Sequence, residues 1–207
     1  MFRRVVTNPF ILSAAVLGWL ATVATGMAML SAYANTPGAP AHAPSEWPVA
    51  STIARHAGTA TLLVFAHPNC PCTRATLAEL DRSLAHVDGG ADVHVVLWQP
   101  EHTDSVPAET SLVELAAAIP RVQVQWDGDG HEAARFGVAT SGEVLLYDGD
   151  DGLRFAGGIT GARGHVGDNA GSDALRLQLT TAAEDAASSP VFGCGLTSPP
   201  TSASAAP

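Results

Sequence analysis

Lysine is absent from the 207 residues, and ten arginines carry all of the fixed positive charge against twenty acidic side chains, for a formal net charge of −10. Two of them, Arg3 and Arg4, stand at the extreme N-terminus, so only eight face the acid in the rest of the chain. No phosphate-neutralising basic surface can be built from so few, which excludes nucleic acid as a partner and argues against docking on anionic lipid. Internal repeats and coiled-coil heptads are missing too. The glycine-rich "GGITGARGHVGDNAG" is not followed by Gly-Lys-Ser/Thr, so it is no phosphate-binding P-loop. "DGDG" and "DGDDG" lack the glutamate at the twelfth position that an EF-hand calcium loop requires. Cysteine is scarce, and its odd count of three leaves at least one thiol outside any pair within the chain.

What is present begins with an uncharged run, "PFILSAAVLGWLATVATGMAML", preceded by Arg3 and Arg4. It is long enough to span a bilayer. The small-residue pattern Ala32-Tyr33-Ala34 offers a cleavage site, but the apolar stretch exceeds the roughly 7 to 15 residues of an ordinary signal peptide. An uncleaved anchor through residues 9–30 is therefore expected, with secretion after cleavage near Ala34 as the alternative. Either way the positive-inside rule leaves the chain after Asn35 outside the cytoplasm. The organisation expected is a membrane-targeting segment over 1–34, a Pro/Ala-rich semi-rigid linker over 35–48, one domain over 49–196 and a disordered tail over 197–207.

Inside the domain, segments of strand and helix character alternate. "TATLLVFAH" is a continuous apolar run of buried-strand length, and "CTRATLAELDRSLAHV" then sets Ala75, Leu77, Leu80, Leu84 and Val87 near a helical period. "ADVHVVLW" and "VQVQW" read as further strands, separated by the helical "ETSLVELAAAIP" that Pro120 closes. "HEAARFGV" reads as a short helix. "EVLLYDGDDGLRFAGGIT" pairs two strands across an Asp/Gly turn, and "SDALRLQLTTAAEDAA" is a closing amphipathic helix with Ser172 as candidate N-cap. The order β-α-β-α-β-α-β-β-α predicts an α/β domain with a mixed sheet covered on both faces.

The strand-to-helix junction reads "HPNCPCTRAT". A thiol at a helix N-terminus faces unpaired backbone N–H groups and the positive end of the dipole, which favours its thiolate. Pro71 suits the first helical turn, where its missing N–H costs nothing. A protonated His67, and Arg74 one turn into the helix, would add positive potential. The Cα atoms of Cys70 and Cys72 lie roughly 5 to 7 Å apart across two trans peptides, so a bridge between them is possible but strained, and a strained bridge exchanges readily. Cys194, in the flexible-looking "SPVFGCGL", can resolve a mixed disulfide, form a structural bridge or stay buried as a small apolar residue. A copper reading competes, because His67, Cys70, Cys72 and His165 together supply the sulfur and imidazole that suit Cu(I). His42, His56, His86, His94, His102 and His131 are scattered and read as solvated or core side chains.

With cysteines where a central strand meets a helix, the region from Trp47 to Leu196 resembles the thioredoxin-like superfamily. "LLVFAHPNCPCTRATLAEL" and "FGVATSGEVLLYDGDDGLRFAGGITGARGHVGDNAG" look most like bacterial membrane-anchored RedB-type proteins. The resemblance implies a thioredoxin-like sheet and a dithiol–disulfide oxidoreductase or isomerase-like activity on protein thiols outside the cytoplasm, at an inner membrane, with no cofactor. It puts Cys70 and Cys72 at the redox pair and Thr140 and Gly142 in the loop before the hairpin. It also sets Arg163 and His165 near Cys70, where His165 would serve as general base or metal ligand. The sequence departs from the family pattern twice: one residue separates the cysteines instead of two, and Gly142 replaces the proline expected before the hairpin. No Pro-x-x-x-Thr-x-x-Cys arrangement supports a peroxide-reducing enzyme.

Overall fold

In the computed structural model the described residues are 9–87, 90–99, 111–181 and 185–196. Arg3, Arg4, His102 and the tail 197–207 lie outside them. The chain divides into two compact units, Met1–Thr36 and Pro37–Pro207. In the first, α1 (Pro9–Asn35) is one uninterrupted helix with no buried residue, long and apolar enough to cross a membrane.

The second unit is built on a six-stranded mixed sheet in the order β3-β2-β1-β4-β5-β6. Its strands are β1 (Ala60–Ala66), β2 (Ala91–Gln99), β3 (Val122–Gly128), β4 (Glu143–Tyr147), β5 (Leu153–Gly157) and β6 (Ala187–Ser189). β1 runs parallel to β2 and antiparallel to β4, which explains why every residue from Thr61 to Ala66 is buried and why its sequence is apolar without alternation. The hairpin β4–β5 turns through Asp148, whose carboxylate accepts from the backbone of Asp150 and Gly152 at 2.9 Å. The helices are α2 (Thr73–Ala85), α3 (Ser111–Ala118), α4 (His131–Arg135) and α5 (Ala170–Thr180).

Odd and even strand positions separate two cores. On one face Leu62, Val64, Val95 and Val144 meet Leu77, Leu80 and Leu84 of α2, Leu112 of α3 and Leu175 of α5. On the other, Leu63, Phe65, Leu145 and Tyr147 meet Trp47, Ile53, Ala133 and Phe136, with the Trp47 and Phe136 rings 5.0 Å apart edge to face. Each buried leucine or phenylalanine contributes about 1.5–3 kcal/mol, so both faces hold β1 rigid up to the point where the cysteines follow it.

The mixed sheet flanked by helices is the one the element order predicts, and three local readings change. Of the Pro/Ala-rich stretch 35–48, read as a spacer, residues 37–48 are strapped to the domain: Gly38 donates to Val191, His42 to Gly137 and Trp47 to Asp151, while Tyr147 Oη donates to the Pro44 carbonyl. Its prolines stiffen it, and its backbone groups find partners on the domain instead of water. Asn169, not Ser172, caps α5: its Oδ1 accepts from the Ser172 N–H at 2.9 Å. A sixth strand, β6, leads into the Cys194 segment, which is packed where the sequence suggests flexibility.

Candidate active site: three thiols at the end of the central strand

β1 ends at Ala66, and the chain turns into α2 through two tight bends, Cys70 N–H donating to the His67 carbonyl at 3.0 Å and Thr73 N–H to the Cys70 carbonyl at 3.2 Å. Cys70 is thereby held at the start of the helix with 3% of its surface exposed, while Cys72 is half-buried and Pro71 lies outside. No local sequence signal places the third cysteine here. The segment after β6 runs antiparallel to the loop before β4, with Ser141 N–H donating to the Cys194 carbonyl and Leu196 N–H to the Ala139 carbonyl, both at 2.8 Å. The sulfur atoms of Cys70, Cys72 and Cys194 all lie within 4.8 Å of one another, and all three are free thiols.

Two glycines make this approach possible. A Cβ on Gly193 would stand 1.8 Å from the Ser141 carbonyl oxygen, and one on Gly142 would stand 2.9 Å from Thr76 Oγ1. Gly142 also has φ +93°, a region that side chains rarely adopt. Thr140, buried, sends its hydroxyl to the Ala39 carbonyl at 2.7 Å and so ties the strap to the same loop.

The electrostatics separate the three thiols. Burial opposes ionisation of Cys70, but backbone N–H groups of Cys194 and Cys72, the Thr73 hydroxyl and the Cys194 thiol donate to its sulfur and hold it down at about 7. Burial, hydrogen bonding to Cys70 and repulsion from the other two sulfurs push Cys194 up to about 12. Cys72 is raised by burial and by the Cys70 charge. Of the three thiols, Cys70 is therefore the one that ionises most readily.

Thr73 and Ser141, which sequence reasoning did not single out, complete the site. Ser141 Oγ accepts from His67 N–H and lies 2.9 Å from Thr73 Oγ1, both hydroxyls being fully buried. With Thr73 donating to Cys70, one direction satisfies every group: His67 N–H to Ser141, Ser141 to Thr73, Thr73 to sulfur. The sequence signal for Thr73 is its place one residue after the second cysteine. For Ser141 there is none.

The remaining predicted residues distribute as follows. His67 stacks on Trp98 with ring centroids 5.1 Å apart and accepts the Asn69 N–H at Nδ1. Burial lowers its pKa, so it stands neutral and adds no positive charge beside the thiols. Arg74 is exposed and donates to Ser111 Oγ. Arg163 donates to the Gly193 carbonyl, and its positive charge favours the thiolates of Cys72 and Cys194. The glycine-rich loop that carries Arg163 is anchored from below by Glu79, 1% exposed, whose Oε1 accepts from Gly167 N–H at 2.7 Å and from Arg82 at 3.0 Å. His165 is exposed, and neither His67 nor His165 joins the sulfur cluster. Asp127 and Asp148 of the two Asp-rich stretches are occupied in capping α4 and closing the hairpin.

Parallel β1 and β2, the antiparallel β4–β5 hairpin beside β1, and cysteines between β1 and the first helix of the domain settle the architecture. The fold is thioredoxin-like. No protein-family model and no curated protein sequence matches the chain. Among solved structures it is similar to an uncharacterized conserved protein of Geobacillus kaustophilus, with 17% identity and a TM-score of 0.55 over 81% of this chain and 94% of that one. It is also similar to a hypothetical protein of Sinorhizobium meliloti, with 20% identity and a TM-score of 0.53 over 78% and 94%. A secreted Mycobacterium tuberculosis disulfide oxidoreductase superposes more loosely, with 16% identity and a TM-score of 0.41 over 59% and 81%. At these identities the likeness is one of fold.

Proposed function

We propose that the domain is a thiol–disulfide oxidoreductase or isomerase-like protein that works on protein thiols outside the cytoplasm, held at a bacterial inner membrane by α1. The observation that carries this reading is the meeting of three free thiols, their sulfurs within 4.8 Å of one another, where the central strand ends, with hydrogen bonds holding Cys70 down at about 7 and burial pushing Cys194 up to about 12. The narrower likeness to RedB-type proteins belongs to the same proposal.

In the forward direction the Cys70 thiolate attacks a substrate disulfide, forming a mixed disulfide and releasing one substrate sulfur as thiolate. That step removes the negative charge from Cys70. Burial still raises Cys194, but the hydrogen bond to Cys70 and the repulsion from its charge disappear with it, while the favourable charge of Arg163 remains. Cys194 then loses its proton, attacks the Cys70 sulfur and expels the second substrate thiolate. The substrate disulfide is reduced and the two protein thiols are oxidised; the two substrate thiols take up the Cys194 proton and the one Cys70 gave to solvent when it ionised. Run backwards, the same steps insert a disulfide. Cys194 suits the resolving role better than Cys72, because its backbone and its thiol both donate to the Cys70 sulfur and because a bridge between residues only two apart is strained.

Equilibrating the full chain in detergent against glutathione buffers, followed by thiol trapping and mass spectrometry of the peptides, tests the reading. The expected result is one disulfide per chain, between Cys70 and Cys194, abolished in Cys70→Ser. Three thiols that stay reduced across the whole glutathione range sink it.

A further inference from the structure

We infer that the reduced domain also binds one Cu(I) ion through a three-sulfur site made by Cys70, Cys72 and Cys194. The inference rests on geometry and donor chemistry, and is independent of the disulfide-exchange reading. Three thiol sulfurs lie within 4.8 Å of one another. A metal at the centre of a sulfur triangle with bonds of about 2.3 Å needs sulfurs about 4.0 Å apart, so the cluster closes on an ion by movements below about 1 Å.

The donor set selects the metal class. Thiolates prefer soft ions such as Cu(I), zinc and iron–sulfur clusters. Zinc in a structural site takes four protein ligands, and no fourth His, Cys, Asp or Glu joins the three sulfurs among the described residues. The two histidines that sequence reasoning offered are elsewhere: His67 is stacked on Trp98 with Nδ1 already accepting a hydrogen bond, and His165 is exposed. Three soft donors and no fourth fit a monovalent ion of low coordination number.

The surroundings support the ligands. Backbone N–H groups of Cys72 and Cys194 and the Thr73 hydroxyl point at the Cys70 sulfur, and Arg163 sets a positive charge near the other two. Outer groups of this kind orient ligands and offset their charge. Binding displaces the thiol protons and oxidises nothing. Half-burial of Cys72 and Cys194 leaves one side of the cluster open, from which an ion can be delivered or removed. Oxidation of Cys70 with Cys194 would take away two of the three ligands, so metal occupancy and disulfide state exclude each other.

The test uses the full chain in detergent, reduced and free of oxygen, titrated with Cu(I) in competition with bathocuproine disulfonate. One Cu(I) per chain is expected, with three sulfur neighbours by X-ray absorption of the wild-type protein, a readout that needs no variant. Cys194→Ser is expected to lower the affinity about 100-fold, the upper end of what even outer-group losses cost, and to cut the sulfur count to two. His67→Ala and His165→Ala should leave both readouts unchanged. Any of four results overturns the site: no retained copper, two sulfurs in the wild type, histidine variants as damaging as Cys194→Ser, or displacement of the ion by equimolar Zn(II). Glutathione exchange measured on the same sample separates the two readings. Exchange without copper binding removes this site alone, and copper binding without exchange removes only the redox proposal.

Discussion

The backbone N–H of Ser141 donates to the carbonyl of Cys194 at 2.8 Å, while the Ser141 hydroxyl lies 2.9 Å from Thr73 Oγ1. One residue thus positions the third thiol and, through Thr73, directs a hydroxyl at the first. The two functions separate in mutants. Thr73→Val keeps the backbone contacts and removes the donor to the Cys70 sulfur together with the acceptor of the Ser141 hydroxyl, so the Cys70 pKa should rise. A hydrogen bond to a charged group contributes about 1.5–3 kcal/mol, so the rate of Cys70 alkylation at pH 7 should fall about tenfold or more. Mapping of the disulfide should still give Cys70 with Cys194. An unchanged alkylation profile would show that Thr73 does not donate to the sulfur.

The pH dependence of the reduced protein follows from the same thiols. Cys70 titrates near 7 in the fold against a usual value of 9.0, so it favours the folded state above 9.0 and loses that contribution as pH falls through about 7. Cys194 acts in the opposite sense: held at about 12, it stays protonated after the unfolded thiol has ionised, and it costs stability as pH rises above 9.0. Urea unfolding of the reduced chain should show these thiols adding stability from pH 7 to 9 and withdrawing it beyond. In Cys70→Ser the rise disappears and the decline above pH 9 weakens, because the charge that raised Cys194 is gone. A rise of the same size in that variant would assign the titration to another group.

Gly193→Ala tests how Cys194 is brought in. The new methyl would lie 1.8 Å from the Ser141 carbonyl oxygen, a backbone atom that cannot swing away. Overpacking of this sort costs about 1–3 kcal/mol, and here the strain is relieved by lifting the Cys194 segment off the loop. The variant should stay folded, with trapping showing Cys70 paired with Cys72 or left as a mixed disulfide. Wild-type pairing with Cys194 would mean that the contact is accommodated elsewhere.

How far the site was legible in the sequence depends on the range of the forces that build it. The junction at "HPNCPCTRAT" was readable because both of its neighbours carry their own periodicity: an apolar run buried on both faces, then leucines at helical spacing. The hairpin was readable from its Asp/Gly turn. Cys194 was not, because its position comes from an antiparallel backbone pairing with residues 139–141, and backbone pairing leaves no mark on residue type. The strap 37–48 was hidden for a related reason: its partners are carbonyls and N–H groups of distant loops, which a Pro/Ala composition does not reveal. Asn169 and Ser172 are both good caps, and only the Ile159 and Gly167 carbonyls, which take the Asn169 amide protons at 3.0 and 2.9 Å, decide between them. Arg163 was placed near the thiols by family likeness. What residue type alone did not show is that it grips the Gly193 carbonyl beside Cys194.

The strap brings a last titrating group into play. Glu143, at the start of β4, is 1% exposed, and its Oε2 has no hydrogen-bond partner among the described residues. Burial raises its carboxyl to about 7, against which the Ala41 backbone N–H from the strap works in part. A carboxyl raised in the fold above its usual 4.5 binds its proton more tightly folded than unfolded, so its contribution to stability is full below 4.5 and is lost as pH rises through about 7. Glu143→Gln keeps the shape and cannot ionise. It should remove that downward slope and leave the chain more stable than wild type at pH 8 by about 1–3 kcal/mol, the cost of an unsatisfied buried group. Because the Glu143 carboxyl meets the strap at Ala41, protease cleavage within residues 37–48 should also become slower in the variant above pH 7. Equal stability of the two proteins at pH 8 would show that the carboxylate is hydrated and that burial does not set its titration.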